Sequence, residues 1–265
     1  MIGAIVGDYI GSAYEFAPTK EYNFPLVTAG SSITDDSIMS LAVADAILKD
    51  EQQPYFRAAM LYYGKRYPTP KGSYGNSFMR WLNSPTPEPY NSFGNGSAMR
   101  VSAVGWAYET LEETQAQAAA SAAVTHNHPE GIKGAVAIAT AIWLARKGYH
   151  REAIMDEVQQ LGYDLGFTII GIKPTYGFDE TCQGTVPAAI KCFLESYCYE
   201  DCVRMAVSLG GDADTLACIA GGIAEAYFGA DDMPNGIANL ALATLPADLL
   251  GVYMRFSERF CNKKW

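Results

Sequence analysis

Two short acidic clusters hold the residues best suited to chemistry in this chain: Thr34-Asp35-Asp36-Ser37 and Gly210-Gly211-Asp212-Ala213-Asp214-Thr215. Each stands directly before an apolar helical run, where Thr, Asp and Ser are favoured caps and carboxylates gain from the helix macrodipole. A cap needs one side-chain acceptor, whereas each cluster offers two carboxylates and a hydroxyl. Adjacent carboxylates repel unless a cation or protons neutralise them. The all-oxygen donor set suits a hard cation, Mg²⁺ first and Mn²⁺ or Ca²⁺ second. Four Asp and two Thr suffice for a pair of ions bridged by a carboxylate and a water, and Gly210-Gly211 permits close backbone approach. On the residues alone, helix cap and metal ligand both stay open.

Two glycine-rich segments add to this. Gly7-Asp8-Tyr9-Ile10-Gly11-Ser12-Ala13-Tyr14-Glu15 reads as a loop with spaced glycines and two acids. Ser92-Phe93-Gly94-Asn95-Gly96-Ser97-Ala98-Met99-Arg100 reads as a small-residue loop feeding a helix. Backbone N–H groups at such a junction can cradle a diphosphate, with Asn95 and Ser97 adding side-chain donors; a tight capped turn is the plainer alternative. Ser73-Tyr74-Gly75-Asn76-Ser77 echoes the second segment faintly, as expected of shared turn chemistry. Thr125-His126-Asn127-His128-Pro129-Glu130 carries two of the three histidines at a helix start. Lacking further ligands, that pair reads as capping or polar packing before metal binding.

These residues need a scaffold, and its composition is ordinary: 265 residues, 49% hydrophobic and 18% charged. The net charge of −10 argues against nucleic-acid or anionic-membrane partners, which need clustered Lys and Arg. The N-terminus has no basic n-region, and no apolar run reaches the ~20 residues of a membrane span. Six cysteines, at 182, 192, 198, 202, 218 and 261, form no CxxC pair and are expected reduced, in a cytoplasmic protein.

Helical periodicity dominates, over 37–48, 54–67, 98–108, 111–124, 129–146, 151–161, 187–194, 201–209, 215–228 and 246–256. Several stretches are Ala-rich on nearly every face, so they belong inside layers of helices. The irregular parts are 68–71 and 84–91, and no linker divides the chain. The expectation is one all-α domain over 1–265, with nothing that demands more than a monomer.

Taken together, GDYIGSAYE, ITDDS, SFGNGSAMR, THNHPEG and LGGDADT resemble, in type and order, the motifs of the ADP-ribosylglycohydrolase family. The resemblance runs from Gly7 to Thr215. It implies a compact, orthogonal multi-helix fold holding two Mg²⁺ ions, with Thr34, Asp35 and Asp36 on one side of the metals and Asp212, Asp214 and Thr215 on the other. Glu15 corresponds to an acidic residue on a mobile gate. Gly94, Asn95, Gly96 and Ser97 correspond to the diphosphate loop, while Phe93 and His126 are placed to touch the ligand. Ser37 stands where many relatives have Thr.

The implied reaction is hydrolysis of the bond between the ribose anomeric carbon and an acceptor, with the ions orienting the sugar and polarising a water. Asp35, Asp36 or Glu15 would stabilise the oxocarbenium-like state or handle a proton. The expected substrate is an ADP-ribosylated protein or small conjugate. ADP-ribosylarginine is favoured, with ADP-ribosylserine, O-acetyl-ADP-ribose and nucleobase-linked ADP-ribose as alternatives. A non-catalytic ADP-ribose binder and a metal-dependent phosphohydrolase are the rivals.

Overall fold

The computed structural model describes residues 1–261; the last four positions of the expected 1–265 domain lie outside it. Among the described residues there is no β-sheet, only two isolated bridges. The helices are α1 (Ile2–Gly11), α2 (Asp35–Lys49), α3 (Phe56–Arg66), α4 (Asn76–Leu82), α5 (Gly96–Met99), α6 (Ser102–Ala107), α7 (Leu111–Ala123) and α8 (Pro129–Arg146). They continue with α9 (Arg151–Gln160), α10 (Ile169–Ile172), α11 (Cys182–Glu195), α12 (Tyr199–Ser208), α13 (Ala213–Phe228), α14 (Ile237–Ala243) and α15 (Ala247–Phe256). None is long and apolar enough to cross a membrane.

The centre of the fold is a backbone-to-backbone helix pair. Residues 213–225 of α13 are all buried, and α1 lies directly on that helix. The sequence explains why the two can approach so closely. Gly3, Gly7 and Gly11 recur every four residues and so share one face of α1. A Cβ on Gly7 would stand 2.0 Å from the Ala217 carbonyl oxygen. On Gly3 it would stand 2.3 Å from Gly221 O, and on Gly11 2.4 Å from Ala213 O. Residues 7–11 of the segment expected to be a loop therefore belong to a wholly buried helix, their glycines serving close packing rather than turn geometry, while 12–15 form the turn that follows.

Three other expectations shift. The helix expected over 98–108 is two short ones, α5 and α6. At the break, Arg100 and Val101 have ψ near 0°, and Arg100 turns its side chain inward to bond the Ser121 carbonyl. The helix expected from Pro187 starts at Cys182, because Thr181 caps it by accepting from Gly184 N–H. Pro187 in its second turn forfeits a backbone bond without ending it. Finally, α4, α10 and α14 are too short to show a clear period in sequence.

Candidate functional site

The N-termini of α2 and α13 converge on one cleft of about 730 Å³. Its walls include Glu15, Asp35, Asp36, Asp212, Asp214 and Thr215 at one end. At the other are Phe93, Gly94, Asn95, Gly96 and His126. Residues 34–36 thus meet residues 212–215 across 180 positions of sequence: the Thr215 hydroxyl lies 3.4 Å from Asp36 Oδ1.

The anchor of the acidic end is Asp8, fully buried on α1. Its Oδ1 accepts from the Thr34 hydroxyl at 2.8 Å. Its Oδ2 accepts from the Thr34 and Ser37 N–H groups at 3.0 and 3.1 Å, and from the Ser37 hydroxyl. Asp8 therefore takes up donors at the first turn of α2 from a neighbouring helix and fixes the angle at which Asp35 and Asp36 enter the cleft. The Thr34 hydroxyl caps α2 by accepting from Asp36 N–H at 3.2 Å, and its proton is committed to Asp8. Capping was a correct reading for Thr34. It was not for Asp212, whose carboxylate makes no cap bond to α13 and instead accepts from Asn95 Nδ2 at 2.7 Å.

Oxygens of Glu15, Asp212 and Asp214 lie within 4.8 Å of one another. Asp36 Oδ2 and Glu15 Oε2 are buried with no hydrogen-bond partner among the described residues. Orphaned anionic oxygens in a concentrated group of carboxylates are the pattern a hard cation resolves. Burial, reinforced by mutual repulsion, holds the carboxyls of Asp35, Asp36 and Asp214 well above their ordinary range. Burial likewise pushes Asp212 up to about 6 and Glu15 up to about 8. Asp35 and Glu15 remain partly open to the cleft, whereas Asp36, Asp212 and Asp214 are buried.

Two isolated bridges secure the edges, pairing Thr34 with Lys71 and Gly94 with Thr181. Lys71 donates to Ser12 Oγ at 3.3 Å and to the Gly30 carbonyl, and its ammonium feels the charges of Asp214, Asp8 and Glu15. Gly72 follows in the left-handed region at φ +79°, and a Cβ there would stand 2.7 Å from Glu15 Oε2. The loop expected to be merely irregular at 68–71 thus leads directly into the wall beside Glu15. Residues 73–77 and 92–96, the faint echo, face the same cleft, each leading into a short helix.

At the other end, Asn95 N–H donates to Glu180 O at 2.7 Å and Cys182 N–H to Phe93 O at 2.9 Å, so the loop is stitched to the start of α11. The side-chain donors expected to face a ligand are otherwise engaged. Ser97 is fully buried and its hydroxyl bonds Gly131 O at 2.7 Å, while Asn95 Nδ2 is shared between Asp212 and Thr185. Of the backbone N–H groups, those of Gly94 and Asn95 are bonded to Ser92 Oγ and Glu180 O, which leaves those of Gly96 and Ser97 for a ligand. Phe93 is half exposed, its ring 5.3 Å from that of His128, which caps α8. His126 is buried beneath the loop.

Known proteins fit this arrangement. The model of the ADP-ribosylglycohydrolase family matches residues 1–260. The chain belongs to this family. Human ADP-ribosylhydrolase ARH3 is 28% identical over 89% of this glycohydrolase chain and 86% of its own. The ADP-ribosyl-[dinitrogen reductase] glycohydrolase of Rhodospirillum rubrum is 25% identical over 89% and 86%. A Pseudomonas putida relative, ADP-ribosylarginine hydrolase Tri1, is 24% identical over 88% of this chain and 71% of its own. The fold matches a solved ADP-ribosylglycohydrolase-related protein complex with a TM-score of 0.73 at 23% identity, over 97% of this chain and 96% of that one.

Among the residues that make this glycohydrolase cleft, Asp8, Lys71 and Arg100 carried no role in the sequence reading. Asp8 and Arg100 lay inside quoted motifs, and the four-residue glycine spacing was the signal that could have put Asp8 on a packed helix.

Proposed function

We propose that this glycohydrolase removes ADP-ribose from modified arginine side chains and works with two Mg²⁺ ions, Mn²⁺ being a possible substitute. The observation that carries this reading is the pairing of two unlike ends in one cleft. One holds orphaned carboxylate oxygens, and the other a glycine loop against which the His126 ring edge lies. Thr34, Asp35, Asp36, Asp212, Asp214 and Thr215 would hold the ions, Thr34 through the lone pair left after its hydroxyl donates to Asp8 and accepts from Asp36 N–H. When bound, such ions supply Lewis-acid polarisation of the sugar hydroxyls and of a water.

The chain's own groups do the rest. The Gly96 and Ser97 N–H groups of the loop face the diphosphate, and Phe93 offers a ring at the rim. Glu15 and Asp35, partly open to the cleft, are the carboxyls positioned to hold or move a proton at the glycosidic atom.

Arginine as acceptor is supported by the chain's layout. For nearly the same share of this chain, the alignment with human ARH3 runs over 313 positions, but those with the two bacterial relatives run over 260 and 262. The chain therefore lacks segments inserted in the human protein, and one of its evenly aligned relatives is named an ADP-ribosylarginine hydrolase.

Mass spectrometry of products from arginine-, serine- and nucleobase-linked ADP-ribose and from O-acetyl-ADP-ribose, with Mg²⁺ or with EDTA, tests the proposal. Free ADP-ribose from the arginine conjugate, lost with EDTA, is expected. Faster release from another conjugate would move the acceptor; AMP would mark a phosphohydrolase, and no product a binder.

A further inference from the structure

Arg100 is buried to 1% exposure beneath the Gly94–Ser97 loop. Its guanidinium bonds oxygens that carry no formal charge: Nη2 donates to Ser121 O at 3.1 Å and to Thr125 Oγ1 at 2.9 Å. Its Nε has no partner among the described residues. A buried cation without a local anion costs free energy, so the structure retains it for some return. What it touches indicates the return. The same Thr125 oxygen lies 2.6 Å from His126 Nδ1.

The direction of that short bond follows from what each group can do. A guanidinium only donates, so Thr125 Oγ1 spends a lone pair on Arg100. A hydroxyl oxygen polarised by a cationic donor becomes a poorer acceptor for a second N–H and a stronger donor of its own proton. The Thr125 proton therefore goes to Nδ1, and the imidazole carries its own proton on Nε2. Nε2 points at the loop. A Cβ on Gly96 would stand 3.1 Å from it and one on Gly94 3.6 Å, so glycine at both positions leaves the ring edge open to whatever the loop holds.

We propose that Arg100 and Thr125 are positioning residues that lock His126 as the neutral Nε2–H tautomer, making it a donor to the diphosphate of ADP-ribose bound at the Gly94–Ser97 loop. Burial, and secondarily the Arg100 charge, keep His126 from taking a second proton. The bound diphosphate in turn places negative charge close to Arg100. The ligand named here rests on the ADP-ribose reading of the cleft; the tautomer does not.

The experiment separates the two. ¹⁵N-edited NMR of the His126 ring in the ligand-free protein is expected to show a protonated Nε2 and an unprotonated Nδ1. Thr125→Val keeps the shape but removes the relay. It should relax that preference and weaken ADP-ribose, measured by calorimetry, about tenfold, the loss of one hydrogen bond to a charged group. Thr125→Ser should restore both. An Nδ1–H tautomer or an imidazolium in the wild type overturns the inference, as does a folded Thr125→Val protein that binds ADP-ribose as tightly as wild type. If the wild type shows the Nε2–H ring yet takes up no ADP-ribose, the tautomer lock stands and the ADP-ribose reading fails.

Discussion

The two ends of the cleft are built on opposite principles. At the glycine-loop end the loop side chains are hydrogen-bonded into α8, α11 and the acidic end, and the histidine is bonded through Nδ1. One buried guanidinium nitrogen there, Arg100 Nε, is left without a partner among the described residues. At the acidic end Asp8, Glu15, Asp35, Asp36, Asp212 and Asp214 crowd together, and buried oxygens of Glu15 and Asp36 have no partner among the described residues. An end with its own buried cation suits an anionic group, whereas an end of crowded carboxylates must import positive charge. On the proposed function, the difference gives the ends separate jobs, recognition to the loop and reactivity to the carboxylates.

The widest separation between them should appear on removing a carboxylate. Asp36→Ala and Asp212→Ala should each lower ADP-ribose release by about 10²-fold or more, since even groups one step behind a metal are worth 10–100-fold. ADP-ribose affinity at the loop should fall far less. Turnover assays beside calorimetry read both, and an equal loss at the two ends would end the division of labour.

Next in size is the platform under the acidic end. Gly7→Ala places a methyl where the Ala217 carbonyl oxygen is 2.0 Å away, and backbone cannot yield. The expected cost is about 3 kcal/mol, or roughly 6–12 °C of melting temperature. Gly177→Ala, with nothing within 4 Å, should leave the melting temperature unchanged.

The same position shows where sequence was legible. The two Asp clusters announce themselves because like charges side by side demand an explanation, and the long Ala-rich helices because their period repeats over several turns. The helix α1 did not, since a glycine every fourth residue suggests a turn unless the partner helix is known. Asp8 was opaque for the same reason: its role is to bond the start of α2, 26 residues away, and only the packing of α1 brings it there. Asn95 and Ser97 were legible as site-adjacent residues but not in direction, because a side chain's partner depends on α8, α11 and α13.

Asn95 joins the two ends directly, its Nδ2 donating to Asp212 at 2.7 Å as well as to Thr185 of α11 at 3.0 Å. Asn95→Ala should leave the fold intact but free the Asp212 carboxylate, weakening Mn²⁺ binding about tenfold as expected of an outer-shell partner. Paramagnetic titration measures it. An unchanged affinity would mean that the ends are independent.

The subtlest contrast is in pH. Burial raises Asp212 from an ordinary 3.8 to about 6 and Glu15 from 4.5 to about 8. A carboxyl whose folded pKa is raised binds its proton more tightly in the native state than in the unfolded chain. That stabilisation is full below the unfolded value and is lost as pH rises through the folded one. Metal-free protein should therefore melt at progressively lower temperature between about pH 4 and pH 8, as repulsion among the newly ionised groups appears. A cation that binds the ionised carboxylates reverses the linkage, because affinity grows as the protons leave. With saturating Mg²⁺ the slope should flatten or change sign over the same window. Asp212→Asn should lessen the metal-free slope, whereas Ser97→Ala, at the loop end, should leave the slope as it is and lower only its level. Equal slopes with and without Mg²⁺ would place the ion elsewhere than among these carboxylates.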